Sequence, residues 1–133
     1  MKFPRLEIIL PPLLLFAAAF TLFYPSASFP LVGYDDPSFI THNPIIFNGF
    51  SGDALRRAFT GLYGDKCMYV PLLWVSFLLD VKFYGAAATN PWGFHFTNVL
   101  CHALNSVLLF FLLFAFCKKP WRAFFFAAIW ALH

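Results

Sequence analysis

Charge is what this sequence has least of. Only 11% of its 133 residues are Asp, Glu, Lys or Arg, and 61% are hydrophobic. A soluble domain carries about a quarter charged residues, so the deficit excludes disorder and argues against an ordinary water-soluble fold. The formal net charge of +3 is too small and too scattered for a nucleic-acid footprint. Cysteine is also scarce: Cys67, Cys101 and Cys117 fall in separate segments. No two of them are expected to pair, and no metal-ligand spacing appears. Internal repeats are absent. The length allows a single domain, and the composition points to the membrane.

The apolar residues are grouped. One block runs from Ile8 to Tyr24 behind Lys2, Arg5 and Glu7, and a longer one from Phe94 to Phe116 carries no charge. The first approaches, and the second exceeds, the roughly 20 residues that cross a hydrocarbon core. A third run begins after Arg122 and reaches His133 before it is long enough to span. The expected fold class is all-α, with polytopic membrane helices over about 8–26, 94–116 and, truncated, 121–133. The short third run reads as the front of a longer protein cut inside a span.

Basic residues in short loops prefer the cytoplasm. Lys2 and Arg5 precede the first span, and Lys118, Lys119 and Arg122 separate the second from the third. The N-terminus is therefore expected inside and residues of about 27–93 outside, in a bacterial inner membrane or an endoplasmic reticulum. In that loop Arg56, Arg57, Lys66 and Lys82 are offset by Asp35, Asp36, Asp53, Asp65 and Asp80. A cleavable signal is the alternative reading of the first block, with small residues at Ser26-Ala27-Ser28. Tyr24 and Phe29, placed like interfacial aromatics, favour a retained anchor.

The loop is where chemistry is expected. Two helices are read within it: one after a Ser51 or Asp53 cap, and one over Met68–Leu79 closed by Asp80 and lying along the interface. Its most informative stretch is Tyr34-Asp35-Asp36-Pro37, because the whole chain has only six acids. Asp36, before a proline, is expected in extended backbone as a helix cap, which leaves Asp35 free to act as a general base. Two solvated turn residues are the plainer alternative. In the second span His95, Asn98, His102 and Asn105 form a polar stripe at spacings of three, four and three. The stripe must face a bundle or a wet cavity, as interhelical hydrogen bonding or as substrate contact.

Taken in order, these features resemble a known group. Tyr34-Asp35-Asp36 is followed by Ile40, Asn43-Pro44, Ala58-Phe59-Thr60, Tyr69-Val70-Pro71-Leu72, Leu78-Leu79-Asp80 and Asn90-Pro91. Then come Gly93 through Asn105, Trp121-Arg122 and Ala131-Leu132-His133. The set resembles the N-terminal part of GT-C superfamily membrane glycosyltransferases. It is most similar to the branch in which tetratricopeptide repeats follow the membrane domain, including O-mannosyltransferases.

The resemblance implies an inverting enzyme that moves a sugar from a polyprenyl-phosphate donor to a hydroxyl on a polypeptide or glycan acceptor, outside the cytoplasm. It implies a catalytic role for Asp35 with Asp36 as its neighbour, and no metal or other cofactor. His95, His102, Asn98, Arg56 and Arg57 are the candidate substrate-binding residues, and the departing phosphate is an anion that cationic groups would stabilise. Val70 departs from a basic residue found in some relatives, and Ala86–Thr89 lengthens a turn. Two and a half spans are expected to be inactive alone. A non-catalytic membrane scaffold, or a transporter segment, are the competing readings.

Overall fold

The computed structural model describes residues 5–61, 68–86 and 90–133. Cys67 and most of the Ala86–Thr89 turn lie outside the described residues. Every regular element among those described is helical: α1 (Arg5–Phe23), α2 (Pro44–Phe47), α3 (Gly52–Thr60), α4 (Pro71–Tyr84), α5 (Trp92–Cys117) and α6 (Pro120–Ala131). A 3-10 turn (Tyr24–Ser28) extends α1, and a π turn (Pro37–Thr41) precedes α2. Two stretches, Leu6–Ser28 and Trp92–Cys117, are long and apolar enough to cross a membrane. The helix α6 has 12 residues, short of a crossing.

The chain divides into two compact units, Met1–Ser26 with Phe96–His133, and Ala27–His95. In the first, α6 presents Ala123, Ala127 and Ala131, all buried at intervals of four. Small side chains at that spacing let helix backbones approach closely, which is how helices associate without a hydrophobic driving force in lipid. Leu15 and Ala19 of α1, with Ala103 and Phe110 of α5, complete this core. Pro11 and Pro12 sit inside α1, and the helix continues through them. At the end of α5, Lys118 turns the chain with φ 53°, its N–H donating to Phe114 O at 2.9 Å. This left-handed residue closes the helix, and Pro120 at the first position of α6 opens the next.

The second unit is built around Trp74 of α4, which is 1% exposed. Its ring packs on Phe39 at 5.4 Å and Phe77 at 6.3 Å, and Phe77 meets Phe94 at 5.7 Å. Ile40, Ile45, Ile46, Ala54, Ala58 and Leu78 fill the remainder. Burying a side chain such as Leu78 contributes about 1.5–3 kcal/mol. The short helices start where the sequence provides caps. Asn43 Oδ1 accepts from Ile45 N at 2.9 Å ahead of Pro44, and Ser51 Oγ accepts from Ala54 N at 3.1 Å. Gly85, at φ 88°, terminates α4.

The structure moves one expected helix. The stretch read as Met68–Leu79 is observed as Pro71–Tyr84, so Asp80 lies inside it and does not close it. Pro71 fixes the start, and the chain keeps helical hydrogen bonds through Lys82, whose Nζ lies 4.7 Å from the centre of the Phe50 ring.

Candidate functional site

The acidic turn is organised by its own backbone. Phe39 N donates to Asp35 O at 3.0 Å, Ser38 Oγ donates to the same oxygen at 3.0 Å, and His42 N donates to Pro37 O at 2.7 Å. The last bond is the wide i→i+5 loop of a π turn, an element that recurs at functional sites. Asp36 occupies the position before this turn, but it differs from the expected extended cap. Its backbone is helical, at φ −56° and ψ −36°, and its side chain makes no capping bond. Instead Asp36 Oδ2 accepts from Val32 N at 2.6 Å, tying the turn to the strand of chain before it. The steric push of a proline is a bias, and here the π turn and the Val32 bond overcome it.

Asp35 is exposed and Asp36 half-buried. The main-chain carbonyl of Asp35 accepts two hydrogen bonds, and the residue is not without a further partner. The turn thus fixes the backbone of Asp35 from both sides: through Asp36 and Val32 on one, and through Ser38 and Phe39 on the other.

Arg56 and Arg57 are on α3, and both are engaged. Arg56 Nη2 lies 3.1 Å from Asp53 Oδ1 and Arg57 Nε 2.6 Å from Asp53 Oδ2. The hydrogen bond from Arg56, followed by that from Arg57, holds the Asp53 carboxyl below its ordinary value of 3.8. Asp53, Arg57, Ser51 and Asn48 line a small cavity of about 180 Å³ beside Pro44 and Ile45. A phosphate approaching either arginine would meet the Asp53 carboxylate on the same face.

The polar stripe of α5 separates into different roles. His95, half-buried in the second unit, has Nε2 buried with no hydrogen-bond partner among the described residues. That nitrogen is an unsatisfied polar atom closed off from the surface. His102, in the first unit, is engaged with α6 and α1: Nε2 donates to Ala131 O at 2.9 Å. Its ring stacks on Trp130 with centroids 4.9 Å apart, and Phe23 meets it edge-on at 4.9 Å. Asn98 and Asn105 are exposed and have no hydrogen-bond partner among the described residues. The stripe is thus one residue of interhelical packing, one orphaned ring and two unpartnered amides.

One buried acid escaped the sequence reading. Asp80 is 4% exposed on α4, three residues after Phe77 on the packed face. A carboxylate at that depth is held by a partner, as Asp80 is. Its helical spacing from Phe77 is the sequence signal for this burial. Trp74 Nε1 is buried with no hydrogen-bond partner among the described residues. Among the described residues no group of three or more His, Cys, Asp or Glu could hold a metal ion.

Comparison with family models, with characterised proteins and with solved structures finds no match to this chain.

Proposed function

We propose that this chain belongs to a GT-C-like membrane glycosyltransferase, and that Asp35 is the base which activates the acceptor. The observation that carries the proposal is the turn itself. An exposed carboxylate is held by a buttressed backbone, in a helical unit bracketed in sequence by two membrane-length helices. Positioning of this kind is what a general base requires before any tuning of its acidity.

In the reaction, the Asp35 carboxylate takes the proton of the acceptor hydroxyl. The hydroxyl oxygen forms a bond to the anomeric carbon from the face opposite the phosphate. The bond from that carbon to the phosphate oxygen breaks, and the polyprenyl phosphate leaves as an anion with inversion at carbon. His95, in the same unit as Asp35, would have to uncover its buried, unpartnered Nε2 before it could donate to that phosphate. Arg56 and Arg57 would have to leave Asp53 to do so.

The distribution of bases supports a topology with the Ala27–His95 unit outside and the Lys118-Lys119 turn inside. The unit's surface supports a place at the lipid boundary. Phe47, Leu72 and Phe83 are each more than 70% exposed, at 76%, 76% and 71%.

The test is sugar transfer from a polyprenyl-phosphate donor by the protein expressed from its complete reading frame. Asp35→Asn is expected to lower the rate by about 10²–10⁴-fold while leaving the fold intact. Transfer at the unmodified rate would remove Asp35 from the role.

A second reading, a non-catalytic membrane scaffold, draws on the same bonds. The engagement of His102 with Ala131 and of Asp36 with Val32 is what packing glue would look like. The transporter reading has less to stand on, since α5 runs unbroken from Trp92 to Cys117.

A further inference from the structure

In the first unit, the last turns of α1 meet the first turns of α5 through rings. Phe20 lies 6.1 Å from Phe96, and Phe23 lies 4.9 Å from His102. Toward the other end a groove of about 390 Å³ opens between the same two helices. Ile8, Leu13 and Phe16 line it from α1, and Leu104, Val107 and Phe111 from α5. The helices are therefore antiparallel, and the groove lies beside the first half of α1 and the second half of α5. From Ile8 to Phe16 it runs about 12 Å at 1.5 Å per residue. That is most of one leaflet of a hydrocarbon core roughly 30 Å thick.

What fills the groove follows from its walls and its mouth. Helices associate in lipid through small residues, as α6 does through Ala123, Ala127 and Ala131. No Gly, Ala, Ser or Thr lines the groove, so branched and aromatic side chains would hold a further helix away. A flexible acyl chain conforms to such walls, and no lining side chain has a polar atom that a protein partner would have to answer. The charge is at the mouth. Lys118, Lys119 and Arg122 are all exposed at the end of α5 and the start of α6. The opposite end of the unit, Tyr24–Ser26 with Phe96–His102, has no lysine or arginine. Glu7, in the first turn of α1, is the unit's one acid, against Lys2, Arg5 and these three bases. From Leu104, at the middle of α5, to Lys118 is about 21 Å along the helix. Half of a bilayer with its headgroups is about 20–22 Å, so the lysines stand at phosphate depth above the groove.

We propose that this groove is a binding site for an anionic phospholipid, with one acyl chain between α1 and α5 and the phosphate held by Lys118, Lys119 and Arg122. Basic sites between membrane helices recognise anionic headgroups in this way. The proposal requires α1 and α5 to cross the bilayer and does not depend on the glycosyl-transfer chemistry.

The full chain is reconstituted in vesicles of equal parts phosphatidylcholine and phosphatidylglycerol, released into mild detergent and weighed intact by native mass spectrometry. A phosphatidylglycerol is expected to stay bound to the chain. Its preference over phosphatidylcholine should be at least about fivefold, the factor that one basic residue near an anionic surface gives. Lys118→Gln with Lys119→Gln and Arg122→Gln is expected to abolish the preference, and Lys118→Arg with Lys119→Arg to keep it. Leu13→Trp fills the groove, leaves every charge in place and is expected to lose the lipid. Leu108→Trp, on an exposed position of α5 outside the groove, is expected to retain it. Circular dichroism confirms that each variant keeps its helix content. The proposal is overturned if no lipid stays bound, if the two lipids are retained equally, or if the glutamine variant keeps the preference. It is also overturned if Leu13→Trp retains as much lipid as Leu108→Trp, or if the chain emerges as a lipid-free dimer.

Discussion

His102 Nε2 donates to the main-chain oxygen of Ala131 at 2.9 Å, joining α5 to α6 across 29 residues of sequence. The carbonyl belongs to the last turn of α6, where helix oxygens have no partner within the helix. His102 thus satisfies a group that would otherwise be left bare in an apolar setting. Replacing it with leucine removes the bond and is expected to cost about 1 kcal/mol. Loss of the stacking on Trp130 adds to this by about 0.5–1.5 kcal/mol. Thermal unfolding in detergent should show a lower Tm for His102→Leu, with a smaller drop for His102→Gln, which can still donate. Equal Tm values for the three proteins would mean that the bond carries no weight.

The two acids of the turn are expected to respond differently. Asp36→Ala removes the 2.6 Å bond to Val32 N and should destabilise the Ala27–His95 unit by about 1 kcal/mol. Hydrogen exchange at Val32 should quicken in step. Asp35→Asn keeps its shape and both bonds to its carbonyl, so the exchange pattern should hold while sugar transfer falls. Faster exchange at Val32 in Asp35→Asn would reverse the assignment of buttress and base.

Asp53 gives a pH dependence with a definite sign. Its carboxyl is held below the ordinary value of 3.8 by the Arg56 hydrogen bond and then by that of Arg57. A lowered acid stabilises the folded form above the unfolded value, and that contribution disappears as pH falls through the lower, folded value. Titration of the Asp53 carboxyl by NMR should give a midpoint below 3.8, moving up in Arg56→Gln and in Arg57→Gln. A midpoint unmoved by both substitutions would show that the pairs are not populated in solution.

These contrasts mark how far the sequence could be read. Both long helices and the Ser51 cap were legible, because apolar length and a serine before a helical run are local properties. The roles of the acids were not. Proline sterics point Asp36 to an extended cap, and although Gly33 and the acids signal a turn, its closure onto Val32 N depends on three-dimensional geometry that residue type does not give. Asp80 was read as a helix end, although its burial is fixed by packing around Trp74 and Phe77. The polar stripe was visible as a period. Which members face α6 and which face outward depends on helix rotation, and a polar residue says nothing of that by itself.

The contact between Gly93 and Tyr84 is the tightest constraint at the start of α5. A Cβ on Gly93 would run into the Tyr84 ring, which also meets Trp92 edge-on at 5.6 Å. Gly93→Ala must therefore displace the tyrosine and is expected to destabilise by about 1–3 kcal/mol. The double variant Gly93→Ala with Tyr84→Ala should recover part of that loss. Unfolding of Gly93→Ala at the parent's Tm would show that the ring moves aside freely.

The proposed role of Asp35 requires the acid-bearing unit to face away from the side of the membrane that holds Lys118 and Lys119. Tyr34, 84% exposed beside Asp35, can be changed to cysteine in a protein whose Cys67 and Cys101 are serine, leaving the native exposed Cys117 as the second reporter. Sealed vesicles with their extracytoplasmic face outward are treated with a membrane-impermeant maleimide. The expected result is that Tyr34→Cys reacts at once and Cys117 only after the vesicles are opened. Labelling of both from the same side would contradict the topology and, with it, the assignment of Asp35 to a lipid-borne sugar.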